Sequence, residues 1–282
     1  MPAVSLNMGN IHYEKVGPDH GRPVVLIHGY AMGGSLWRPL TERLASHGFR
    51  CIAPTWPLGA HAEAMDKDAE LTIEAIAATV GELLDELSLE DVVLVGNDTG
   101  GAIAQVVATT MPDRLGALVL TSCDAFEHFP PPILKPFIAA AKFAPTFQAA
   151  LQPLRTKLGR ERAYGALAHA DIDALVTEWT APALTDSKVR NDLRRLTASL
   201  DQRTTLQAAE RLPQFDKPAL VAWSQDDAFF PLEDGRRLVA ALPDARLEVI
   251  GAARTFSMID QPDSLAGLIG SFADGRESRR AA

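Results

Sequence analysis

Apolar and polar positions switch between two periods along this chain, and the switches mark its elements. The opening VSLNMGNIHYEKVG reads as two short strands joined at a Gly9-Asn10 turn signal. PVVLIHG (residues 23–29) is a continuous apolar run, as expected of a parallel strand buried on both faces. A helix follows through SLWRPLTERLASHG, with Ser35 as N-cap and Gly48 as stop, and FRCIAPTW is the next strand. LTIEAIAATVGELLDELSL carries apolar residues at helical spacing. DVVLVGND then reads as a strand, TGGAIAQVVATTMP as a helix and RLGALVLTSCDA as a strand. Beyond residue 213 the alternation resumes with PALVAWSQDD, PLEDGRRLVAALP, ARLEVIGA and DSLAGLIGSFADG. Strand–helix alternation at these lengths predicts an α/β fold: a mostly parallel sheet covered on both faces.

Residues 126–212 break the rhythm. They open on HFPPPILKP and then read as helix throughout. The predicted organisation is therefore a core of residues 1–125 and 213–282 with an inserted all-helical cap, 126–212. Such an insertion lies over the C-terminal edge of the sheet, where open α/β sheets bind ligands. There is no internal repeat, and the polar tail GRESRRAA is expected to fray.

Composition narrows the function classes. With 282 residues, 47% of them hydrophobic, the chain suits one α/β domain with an insertion. A net charge of −9 argues against nucleic acid or an anionic membrane as partner. No apolar run approaches the roughly 18 residues of a membrane span, and MPAVSLNMGN lacks a signal-peptide core. Cys51 and Cys123 are isolated and fit neither a CxxC nor a zinc spacing. A cytoplasmic protein with a small-molecule substrate and no cofactor is the expectation, and a disulfide between the two cysteines is not expected in a reducing compartment.

Candidate chemistry starts at VVLVGNDTGGAIAQ (92–105), where a strand ends in an aspartate and a helix begins. Gly96-x-Asp98-x-Gly100 has nucleophile-elbow spacing, with aspartate where serine is commoner. A turn that tight needs small residues two positions before and after its apex. The helix beginning at Thr99 aims its N–H groups and dipole at the apex side chain. The competing reading makes Asp98 or Thr99 a simple N-cap in another doubly wound fold.

Around this motif the chain resembles the α/β-hydrolase superfamily, particularly the branch of haloalkane dehalogenases and epoxide hydrolases. His28-Gly29 ends the third strand as the HG dipeptide does in that family. WSQDDAFFP (223–231) is similar to the family's acid motif, and DQPDSLAGLI (260–269) to the opening of its final helix. The resemblance implies Asp98 as nucleophile, Asp227 as triad acid with Asp226 as its neighbour, and the backbone N–H groups of Tyr30 and Thr99 as oxyanion donors. It implies a structural role for His28, shaping the loop before Tyr30.

One landmark departs from the family. GAARTFSMIDQP (251–262) has Thr255 where the histidine belongs, and the seven histidines, His12, His20, His28, His47, His61, His128 and His169, all precede it. Histidine would be the general base that frees an alkyl ester from Asp98, and a threonine hydroxyl does not titrate near neutrality. Three routes remain open. Asp124, at the end of RLGALVLTSC, joins Asp98 and Asp227 in one pocket, where like charges raise a pKa into a usable range; the alternative is a loop cap or a partner of a basic side chain. A cap histidine swings in, with His128 better placed than His169, unless it is an ordinary exposed loop histidine. Or hydrolysis by this route is lost, leaving Asp98 as acid/base for a lyase or isomerase, or a pocket that only binds.

The resemblance does not transfer a substrate. Dehalogenases carry tryptophan directly after the nucleophile, where this chain has Thr99; Trp179, in the cap, is the candidate to stand in. Epoxide hydrolases use two cap tyrosines, whereas Tyr164 is alone in the cap and Tyr30 follows the HG pair. Tyr30, Thr99, His128, Tyr164, Trp179 and Thr255 are the candidate substrate contacts. The apolar cap, as in FIAAAKFAPTFQAAL, packs on itself in the main and leaves room for an apolar ligand. Nothing in the carboxylate spacing demands a metal.

Overall fold

The structure, a computed structural model, describes residues 1–280, with side chains up to Ala273; the expectation of a frayed GRESRRAA tail lies outside the fully described residues. Eight strands form one sheet: β1 (Ala3–Leu6), β2 (Gly9–Val16), β3 (Pro23–Ile27), β4 (Arg50–Pro54), β5 (Val92–Asp98), β6 (Leu115–Cys123), β7 (Ala219–Ser224) and β8 (Ala245–Ile250). Their order is β1-β2-β4-β3-β5-β6-β7-β8. β1–β2 and β2–β4 pair antiparallel, and every other neighbour is parallel.

The central strands are apolar along their whole length because each face meets its own core. Val25, Ile27, Leu94, Leu118 and Leu120 pack into one cluster. The alternate residues Val24, Leu26, Val93, Val95 and Val119 enter the other. Period-two alternation thus survives inside runs that look uniformly apolar, with both sides buried.

Helices α1 (Arg38–Ser46), α2 (Ile73–Glu86) and α3 (Thr99–Thr110) connect the first parallel strands. The segment after β6 contributes α4 (Lys135–Ala140), α5 (Ala144–Leu151), α6 (Lys157–Tyr164), α7 (Asp173–Thr185), α8 (Ser187–Ser199) and α9 (Arg203–Arg211); among the described residues it has no strand. The chain closes with α10 (Leu232–Ala241), α11 (Ser257–Asp260) and α12 (Pro262–Arg280).

Two local expectations are corrected. The β1–β2 turn falls at Asn7-Met8, two residues early, because Gly9 and Asn10 already pair with Leu6 and Ser5. Ser35 does not cap the helix that follows: Gly34–Trp37 forms a 3-10 turn, and α1 starts after it with Pro39 in its first turn. Ser35 is buried and its hydroxyl accepts a hydrogen bond from Trp179, so the side chain serves packing between distant elements. No helix among the described residues is long and apolar enough to cross a membrane.

The strand order places the site. From β3 the chain moves to β4 on one side and then returns to β5 on the other. The loops leaving β3 and β5 therefore diverge and open a crevice at the C-terminal edge, the switch point where open α/β sheets bind ligands.

Candidate active site

Asp98 ends β5 and caps α3, with φ of 53° and ψ of −133°. That positive-φ backbone is sparsely populated for a residue with a side chain and costs about 1–3 kcal/mol. The surroundings impose it through close approach of three segments. A Cβ on Gly96 would lie 2.5 Å from the Gly100 carbonyl oxygen. One on Gly100 would lie 2.0 Å from the carbonyl oxygen of Ile27. Gly100→Ala is therefore expected to cost on the order of 3 kcal/mol, since the obstacle is strand backbone that cannot yield; urea denaturation checks this.

The elbow delivers a carboxylate into two backbone amides. Asp98 Oδ1 accepts from the N–H of Thr99 at 2.7 Å and from the N–H of Tyr30 at 3.1 Å. Both donors named from the sequence as an oxyanion pair are thus aimed at one oxygen of the same side chain. Gly29 allows the approach, because a Cβ there would stand 2.1 Å from Asp98 Oδ1. His28 braces the loop: its Nδ1–H donates to the Gly29 carbonyl and its Nε2 accepts from the N–H of Trp56. Burial lowers the imidazole pKa to about 4, so it is neutral and the two roles are compatible.

Burial raises the Asp98 pKa to about 6 against the pull of those amides, with the Asp227 charge adding to the rise. Asp124 is brought beside it. The N–H of Asp124 donates to the Asp98 carbonyl, and its Oδ2 accepts from Thr99 Oγ1 at 2.9 Å. Burial, then the Asp98 charge, push the Asp124 carboxyl well above the ordinary range. Asp227 follows β7, and its Oδ1 accepts from the N–H groups of Phe229 and Phe230 at 2.8 and 2.9 Å. Burial raises its pKa despite these amides. The hydroxyls of Ser122 and Thr255 face the Asp227 carboxyl and oppose that rise, but among the described residues neither Asp227 Oδ2 nor Thr255 Oγ1, both buried, makes a hydrogen bond of ordinary geometry.

Above Asp98 lies a cavity of about 470 Å³. Tyr30, Thr99 and Tyr164 line it, together with Phe137, Leu154, Phe229 and Phe230. His128, Trp179 and Thr255 do not line it. His128 Nδ1 is held 2.6 Å from Asp234 Oδ2 on α10, half-exposed, beside an Arg237 that also pairs Glu127. Trp179 is buried, donating to Ser35 and standing edge-on to Phe256 with ring centroids 6.0 Å apart. Thr255 is fully buried, its carbonyl accepting from Asn97 Nδ2 at 3.0 Å. His169 lies on the surface with Asp226, at 3.1 Å. Among the described residues, no group of three or more His, Cys, Asp and Glu side chains has metal-holding geometry.

The sequence reading missed Phe229 and Phe230, although they directly follow the acid in QDDAFFP, and it missed Arg162. Contacts tie the helical segment to the oxyanion loop. Tyr164 O–H donates to the Ala31 carbonyl at 3.0 Å. Thr197 Oγ1 donates to the Leu193 carbonyl, so Tyr30 O–H is the donor in its 2.6 Å bond to Thr197. Both phenols are pushed far above their ordinary pKa by burial.

A strand ending at a positive-φ acid, an amide pair at its carboxylate and a helical segment over the sheet edge are the parts of one known architecture. The family model described as the alpha/beta hydrolase fold matches residues 22–262. The chain belongs to the α/β-hydrolase family. Haloalkane dehalogenase 2 of Mycobacterium tuberculosis is 30% identical over 266 residues, spanning 93% of this chain and 90% of its own. The 2-hydroxy-6-oxo-6-phenylhexa-2,4-dienoate hydrolase of Comamonas testosteroni is 26% identical over 260 residues, spanning 90% of this chain and 87% of its own. Among solved structures, haloalkane dehalogenase DbeA of Bradyrhizobium elkani superposes with a TM-score of 0.80 at 17% identity, covering 98% of this chain and 97% of that one, a likeness of fold. The relatives are named hydrolases, and the chain is an enzyme of that superfamily.

Proposed function

We propose that Asp98 is a carboxylate nucleophile acting on a small, largely apolar molecule with a displaceable group, such as a haloalkane or an epoxide, beneath a helical cap. The observation that carries this reading is the placement of one carboxylate oxygen, Oδ1, in a two-amide cradle at the floor of an apolar cavity. Oδ2 attacks carbon, the carbon–leaving-group bond breaks, and the leaving group departs with the electron pair. The ester that forms has Oδ1 as its carbonyl oxygen. When water attacks that carbonyl, negative charge develops on Oδ1, between the amides of Tyr30 and Thr99. Asp227, whose Oδ2 makes no hydrogen bond of ordinary geometry among the described residues, takes the water's proton in this reading, while Asp124, bonded to Thr99, holds the elbow. A carboxylate is a weaker base than imidazole near neutrality, so release of the ester is the slow half-reaction.

The pH dependence of the first step follows from Asp98. Only the ionised carboxylate attacks, so alkylation should rise with pH, pass half-maximum near pH 6 and level off above it. The rate of mass gain by intact-protein mass spectrometry, measured with haloalkanes and epoxides and mapped by peptide digestion, tests both the residue and the profile. A pKa near 6 also suits Asp98 as general base for an elimination or isomerisation. That second reading predicts turnover with no mass gain on Asp98 at any time.

A further inference from the structure

The cavity over Asp98 has almost no free polar groups. Tyr30 O–H is committed to Thr197, Tyr164 O–H to the Ala31 carbonyl and Thr99 Oγ1 to Asp124. Among the described residues, only two that line it are charged: Asp98 at the floor and Arg162 on α6. Arg162 is exposed and makes no hydrogen bond or ion pair among the described residues. Its neighbours on the same helix are different. Arg160 grips both carboxylate oxygens of Asp173 at 2.7 and 3.0 Å, and Lys157 pairs with Glu161. A guanidinium left unpaired at an apolar cavity, in a chain of net charge −9, offers two parallel N–H donors to an anion.

We propose that the cavity takes an amphiphilic organic acid, its carboxylate on Arg162 and its apolar chain running down to Asp98. As a statement of substrate class this rests on the nucleophile reading of Asp98; as a statement about binding it does not. An apolar chain loses water against Phe137, Leu154, Phe229 and Phe230, while the carboxylate stays at the exposed rim where its hydration is largely kept. The orientation puts the far end of the acid, not its carboxylate, at the nucleophile.

Binding is measured first, by calorimetry with octanoate and octanol, which share a chain and cannot alkylate. Octanoate should bind about 10-fold more tightly than octanol, consistent with one charge-assisted pair at a partly solvated site, and the preference should shrink with added salt. Arg162→Gln should abolish the preference while leaving octanol binding unchanged, and Arg162→Lys should keep part of it. Equal binding of acid and alcohol, or a preference that survives Arg162→Gln, overturns the proposal. Alkylation by bromohexane and by ω-bromohexanoate then separates the two readings. If bromohexane labels Asp98 and the acid gains no advantage, Arg162 is not the anchor and the nucleophile stands. If neither labels Asp98 and the Arg162-dependent preference persists, the nucleophile reading falls and the acid site stands.

Discussion

Asp98→Asn should abolish labelling by alkyl halides, reduce turnover by about 10⁴-fold or more, and at the same time stabilise the protein above neutral pH. The kinetic half follows because a neutral amide is a poor nucleophile and a poor base, and among the described residues no second side chain occupies the two-amide cradle. The stability half follows from the carboxylate's cost. Its pKa is raised in the folded chain from 3.8 to about 6, chiefly by burial. A raised carboxyl contributes stability that is fully present below its unfolded pKa and lost as pH climbs through the folded one. Wild-type protein therefore pays on the order of 3 kcal/mol at pH 8 to keep this charge, and nothing comparable at pH 3. Asparagine keeps an acceptor for Tyr30 and Thr99 and removes the charge that also raises Asp124. Thermal denaturation of the two proteins should diverge between about pH 4 and pH 8, with the variant higher at the alkaline end. A variant that melts lower at pH 8 would show that the N-terminus of α3 needs the anion, and the trade between stability and nucleophilicity would have to be abandoned.

Much of the core was legible because it rests on local rules. A buried parallel strand needs an unbroken apolar run, and 23–27, 92–98, 115–123 and 219–224 have one. An elbow needs glycine where backbones nearly touch, and Gly96 and Gly100 sit where a Cβ would meet backbone at 2.5 and 2.0 Å. Asp98 at the apex of the turn came with those rules, whereas Tyr30 and Thr99 as its neighbours came with the family resemblance. The contacts that the sequence left open depend on partners far away in sequence. Trp179 turned to Ser35, 144 residues before it, and His128 to Asp234, 106 residues after it. Periodicity gives each side chain a face but not the partner that claims its polar atom. Arg162 is the converse case: in RERAY it looks like one more solvated cation, and only the occupied hydroxyls around it make it the free donor of the cavity.

If Asp98 is the nucleophile as proposed, Asp227 and Thr255 are where the site departs from a complete triad. Asp227 holds one oxygen against the amides of Phe229 and Phe230, the arrangement that would orient a base, and its other oxygen makes no hydrogen bond of ordinary geometry among the described residues. Thr255 presents a buried hydroxyl that faces the Asp227 carboxyl and likewise makes no hydrogen bond of ordinary geometry among the described residues. Its backbone is fixed, because Asn97 bridges the Thr255 carbonyl to the carbonyls of Thr121 and Ser122 at the end of β6.

Thr255→His should therefore shorten the lifetime of the Asp98 ester by roughly 10²- to 10⁴-fold, the usual contribution of a placed general base. The imidazole Nδ1–H has a ready acceptor in Asp227 Oδ2, and that bond fixes the tautomer that leaves Nε2 to take a proton from water. Gaining the bond opposes the cost of inserting a ring beside the fully buried Phe256, about 1–3 kcal/mol, so the variant should fold with a modest loss of thermal stability. The ester is formed with a short pulse of haloalkane, and its mass is followed with time. Its decay should accelerate with pH through about 6.5 as the imidazole loses its proton. Adding Asp227→Asn should take back most of the gain, since the amide neither fixes that tautomer nor stabilises the imidazolium. A folded variant whose ester decays no faster than wild type would mean that the ring does not face the ester carbonyl. The difference from a complete triad would then lie in the backbone carrying residue 255 as well as in its side chain.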